Sequence, residues 1–76
     1  MAIWHPCKRS EFIRKLRALG FEPPEPGTRH FVMRLGSHKQ VIPRNQEFSI
    51  PQLRKLIGQI EAKLERRISA EEWDRL

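Results

Sequence analysis

The hydrophobic positions of this chain fall into two helical stripes separated by an alternating run. Phe12, Ile13, Leu16 and Leu19 recur on one helical face, with Arg14, Lys15 and Arg17 on the other. Ser10 is a suitable N-cap for this helix and Gly20 a suitable stop. Leu53, Leu56, Ile57, Ile60 and Leu64 form a second stripe, with Ser49 placed to cap its helix and Pro51 in the first turn. Between them, residues 30–35 alternate: Phe31, Met33 and Leu35 point one way and His30, Val32 and Arg34 the other. That is a strand with one apolar face, and it places His30 on the side away from the core.

The remaining segments complete the outline. The stretch "FEPPEPG" holds three prolines, which cannot donate to a ladder, so it is at most a short or edge strand. "GSHK" reads as a turn and residues 40–42 as a returning strand that Pro43 ends, which makes a hairpin. "RNQEFS" reads as loop. In the tail, Ser69 and Glu72 have capping-box spacing, and Ile68 and Trp73 occupy the staple positions of a short third helix over residues 68–76. Trp73 is expected to pack there. Residues 1–8 carry no pattern and read as a loosely ordered start, with Cys7 a free thiol within it. The pattern gives an α+β class: two helices packed on one face of a small antiparallel sheet, followed by a short C-terminal helix.

At 76 residues the chain is a single domain with a thin core and no room for a deep cleft, which favours a polymeric substrate on an open face. One cysteine precludes an internal disulfide, and no apolar run approaches membrane-span length, so a cytoplasmic protein is expected. Charge sharpens this picture. Residues 1–44 hold nine basic and three acidic side chains, whereas residues 45–76 hold six of each, so the whole net charge of +6 sits in the first part. Between residues 26 and 46, Arg29, Arg34, Lys39 and Arg44 occur with no carboxylate. Such a field suits phosphate. Lys8, Arg9, Arg14, Lys15 and Arg17 could extend it as a ridge on the first helix, or form only that helix's solvated face.

His30 is the candidate for chemistry. An imidazole titrates near neutrality, so it can take a proton from an RNA 2′-hydroxyl or return one to a leaving oxygen. Gly27 permits close backbone approach, and the Arg29 fork suits a phosphate. The 2′-hydroxyl is a built-in nucleophile, and a magnesium site would want the carboxylates this stretch lacks, so no metal or other cofactor is expected. His38 lies roughly 15–20 Å away at strand spacing, too far to share a phosphate with His30. His5 and Cys7 have no second ligand pair for zinc.

Taken in order, "KRSEFIRKLRALGFE", "GTRH", an apolar strand, "VIP", "LRKLIGQI" and "ISAEEWDRL" resemble the HicA (YcfA-like) family over nearly the whole chain. The family comprises mRNA-interferase toxins of type II toxin–antitoxin systems. The resemblance implies a double-stranded-RNA-binding-domain-like α-β-β-β-α fold and cleavage of mRNA. It also implies neutralisation by a HicB-type antitoxin covering the His30 face. It aligns the family's catalytic histidine with His30, its glycine with Gly27, and a small or hydroxyl position with Thr28. It gives Arg44 and Asn45 no catalytic part. The expected RNA-binding set is therefore Gly27, Thr28, Arg29, Arg34, Lys39 and Arg44 around His30. Two alternatives use the same charges without the imidazole: a non-catalytic RNA-binding module, and a structural protein whose basic face meets an acidic partner.

Overall fold

The computed structural model describes residues 3–25 and 31–76. The chain begins with a two-residue strand, β1 (Cys7–Lys8), which runs directly into α1 (Arg9–Ala18). β2 (Phe31–Leu35) and β3 (His38–Ile42) form the hairpin, β4 (Glu47–Phe48) follows, and α2 (Ile50–Leu64) and α3 (Ala70–Arg75) close the chain. The α+β outline of an N-terminal helix, antiparallel strands, a long helix and a short last helix is thus present.

The entry to α1 differs from the sequence expectation. Lys8, not Ser10, is the N-cap, and no side chain caps the helix. The reason is tertiary: the first helical N–H, from Arg9, donates to the Gln46 carbonyl at 2.9 Å, so the bend just before β4 satisfies it. The exit is as expected. Gly20 takes φ +109°, its N–H donates to Arg17 and that of Phe21 to Leu16, both at 3.0 Å. This is the Schellman pattern, which a left-handed glycine makes possible. It turns Phe21 into the core beside Leu16.

The sheet also departs from expectation. In place of one three-stranded sheet there are two antiparallel pairs, β1 with β4 and β2 with β3. Pro23 and Pro24 remove donors from residues 21–25, which therefore form no regular strand. They still run along β2, with Glu22 donating to the Arg34 carbonyl at 2.8 Å and Glu25 to that of Val32 at 3.2 Å. β1 and β4 correct two readings at once. The N-terminal segment, read as loosely ordered, and "RNQEFS", read as loop, pair through Cys7 with Phe48 and Lys8 with Glu47. Cys7 and Phe48 are both buried, whereas their neighbours are exposed. Two residues per strand are too few for an alternating pattern to show.

The hairpin loop contains only Gly36 and Ser37, so His38 and Lys39 belong to β3 rather than to a four-residue turn. Gly36 at φ +59° supplies the positive angle that a two-residue hairpin connection requires. Met33 and Ile42 are buried, and Leu35 packs against the core. Gln40, on the same face, is buried too. Its amide donates to Gln59 Oε1 at 2.9 Å and its oxygen accepts from Lys63 at 3.0 Å, so the polar group is satisfied.

α2 follows the sequence reading closely. Ser49 caps it, accepting from the Gln52 N–H, Pro51 lies in its first turn, and Leu53, Leu56, Ile57 and Ile60 are buried. Ser69 likewise caps α3, accepting from the Glu72 N–H at 3.1 Å, and the staple residues Ile68 and Trp73 are both buried. The Glu72 carboxylate, however, accepts from Arg66 at 2.8 Å, and that bond holds it below the usual glutamate range. Phe12 sits at the centre of the core. Its ring meets Phe48 edge-on at 5.2 Å and Trp73 at 5.6 Å, so one residue of α1 joins β4 to α3.

Candidate nucleic-acid interface

The strand period divides the hairpin side chains into two sets. Register places Phe31 opposite Ile42, Met33 opposite Gln40 and Leu35 opposite His38 on the inner face, and Val32 opposite Val41 and Arg34 opposite Lys39 on the outer one. The outer face thus presents two cations side by side next to two valines, of which Val41 is 51 % exposed. Two like charges directly across a ladder repel. Glu25, running alongside β2, accepts a hydrogen bond from Arg34 Nε and offsets that repulsion. The stretch that is free of carboxylates in sequence is therefore not free of them in space.

Among the sequence-predicted binding residues, Lys39 and Arg44 are exposed and Arg34 is partly buried by its pairing with Glu25. Gly27, Thr28, Arg29 and the candidate base His30 lie outside the described residues. His38 is exposed at the turn end of β3, on the face opposite Arg34 and Lys39.

The cations at the start of the chain and along α1, readable as a phosphate-facing ridge or as that helix's solvated face, are not all exposed. Lys15 was placed on the solvated face, yet it is buried, with its ammonium donating to the Trp73 carbonyl at 2.6 Å and lying 5.2 Å from the centre of that ring. The α3 docking surface extends the buried side of α1 beyond its apolar stripe, and the long lysine stem spans it. Arg14 donates to Glu11 at 2.8 Å and to the Leu76 carbonyl at 3.2 Å. The hydrogen bond from Arg14 holds the Glu11 carboxyl below its ordinary range. Only Lys8 and Arg17 of this group remain exposed without an ion pair among the described residues.

Phe31, assigned to the core by alternation, is 38 % exposed. Its ring instead carries the guanidinium of Arg9, with Cζ 4.2 Å from the ring centre. Arg9 Nε also donates to the Pro43 carbonyl at 3.0 Å. α1 begins beside the open end of the hairpin, so its first side chain reaches across both β2 and the end of β3. Arg9 and Phe31 are 22 positions apart in sequence, and no local pattern could have joined them.

Elsewhere, Cys7 lines a groove of about 240 Å³ with His5, Glu11, Glu47 and Asp74. Burial pushes its thiol pKa up, which disfavours the thiolate that metal ligation or nucleophilic attack would need. Among the described residues, no group of three or more His, Cys, Asp or Glu is placed to hold a metal ion. No described helix is long and apolar enough to cross a membrane. Comparison with protein-family models, curated proteins and solved structures finds no match to this chain.

Proposed function

We propose that this chain is a toxin of a type II toxin–antitoxin system, similar to the HicA family: a metal-independent endoribonuclease that cleaves mRNA in the cytoplasm. His30 acts as general base, taking the proton of a 2′-hydroxyl. The 2′-oxygen then attacks the adjacent phosphorus, the P–O5′ bond breaks, and the leaving oxygen takes a proton from imidazolium or water. The products are a 2′,3′-cyclic phosphate and a 5′-hydroxyl. Arg29, Lys39 and Arg44 hold phosphate, and Gly27 and Thr28 allow the backbone to approach it. The observation that carries the reading is the run from residue 26 to 46, where cations flank one outward-alternating histidine with no carboxylate in sequence. The exposed Lys39 beside Arg34 on the outer face of the hairpin supports it.

The finer fold proposed with this function is that of a double-stranded-RNA-binding domain, with residues 21–25 as its degenerate edge. An acidic HicB-type antitoxin covering the His30 face would neutralise the excess charge. Expression of wild type and His30→Ala in bacteria, with RNA cleavage by the purified proteins in EDTA, provides the test. Toxicity and chelator-resistant cleavage are expected of the wild type alone. Equal toxicity or equal cleavage removes His30 from the mechanism, whereas RNA binding by both proteins without cleavage by either leaves a binding module.

A further inference from the structure

Arg9 and Phe31 form a surface pair that core packing does not explain. A phenylalanine on the inner side of a strand is normally buried, yet this ring keeps 38 % of its surface exposed. The Arg9 guanidinium lies 4.2 Å from the ring centre, and its Nε–H is committed to the Pro43 carbonyl at 3.0 Å. Its backbone N–H is held by Gln46 at 2.9 Å, which anchors the residue at both ends. Among the described residues no carboxylate pairs with Arg9. A guanidinium has five N–H groups, so the four on its terminal nitrogens are available in a fixed plane. A cation oriented in advance loses little freedom when it binds an anion.

We infer that Arg9 and Phe31 form a nucleotide-binding step for single-stranded RNA, the terminal N–H groups of Arg9 taking a phosphate and the exposed ring of Phe31 stacking on a base. The inference rests on the RNA-cutting reading above and names two further substrate contacts for it. Aromatic rings and guanidinium planes are the usual platforms for unstacked bases, because every base has a π-face. The pair belongs to the basic first part of the chain, which carries the whole net charge.

The test is fluorescence anisotropy of a labelled 12-nucleotide single-stranded RNA, with every variant made in the uncleaving His30→Ala background. Arg9→Ala is expected to weaken binding about tenfold and to lower the salt slope by about 0.7, the value of one lost phosphate contact on a single strand. Phe31→Leu is expected to weaken binding about tenfold with the slope unchanged. It should have no effect on an RNA of the same length whose nucleotides are abasic. Arg9→Gln removes the charge while keeping an amide donor for the Pro43 carbonyl, so it is expected to behave as Arg9→Ala and replaces it if Arg9→Ala unfolds; Arg17→Ala controls for loss of one exposed cation. A parent that binds RNA, with the charge-removing Arg9 variant and Phe31→Leu both within twofold of it, overturns the step while leaving the RNA reading intact. A parent that fails to bind RNA at low salt overturns both.

Discussion

Replacing Phe48 by alanine separates the folded arrangement from any reading in which residues 44–49 are a surface loop. Phe48 is fully buried and meets the Phe12 ring edge-on at 5.2 Å. Truncating such a ring costs about 3–5 kcal/mol, combining lost transfer energy with the cavity left behind. Of this, about 1 kcal/mol belongs to the aromatic pair, the part that Phe48→Leu would also lose. A domain of this size is stable by about 4–11 kcal/mol, so Phe48→Ala removes a large share and Phe48→Leu a modest one. Urea unfolding followed by tryptophan fluorescence reads the change, since Trp73 lies against the same Phe12 ring. With a slope of about 1 kcal/mol per molar for a small protein, the alanine midpoint should fall by about 3 M or more. Gln46→Ala, an exposed side chain two positions away, should stay within about 0.5 kcal/mol. If Phe48→Ala costs less than about 1 kcal/mol, the β1–β4 pairing and the placement of Phe48 beneath α1 are wrong.

Glu25→Gln releases Arg34 from its carboxylate partner. Both side chains are more than a third exposed, so stability should change by less than about 1 kcal/mol. RNA affinity, measured by anisotropy at low salt, should instead rise several-fold with a steeper salt dependence, and an unchanged affinity would exclude Arg34 from the phosphate-binding face. For Cys7, burial raises the thiol pKa, so its contribution to stability is complete below the unfolded thiol value of about 8.5. It is lost as pH climbs from there toward the folded value, because the unfolded chain releases its proton first. Unfolding free energies of wild type and Cys7→Ala should therefore converge as pH is raised from 8 to 10, and a constant difference between them would refute the assignment.

The candidate site was legible only where its chemistry is local. A carboxylate-free run and an alternating strand can be read from neighbouring residues, and of the cations that run singles out, Lys39 and Arg44 are exposed. Glu25 lies one position outside that run, and its pairing with Arg34 arises because the proline-rich segment folds back along β2. Arg9 reaches Phe31 only because α1 starts at the open end of the hairpin. Lys15 illustrates the same limit: its helical face is polar by sequence, and α3 arrives from 58 positions away to bury it.

Sequence alone determined the elements whose causes are short-range: the Gly20 stop, the caps at Ser49 and Ser69, the buried stripe of α2, and the staple of Ile68 with Trp73. Each depends on φ freedom, a side-chain acceptor or a 3.6-residue period within one or two turns, and no distant partner is needed to specify it. Only the tertiary structure decided which strands pair, why α1 begins at Arg9, and where Phe31, Phe48 and Lys15 lie. Those outcomes depend on backbone groups and apolar surfaces being satisfied across the whole small core, where two-residue strands carry too little pattern to announce their partners.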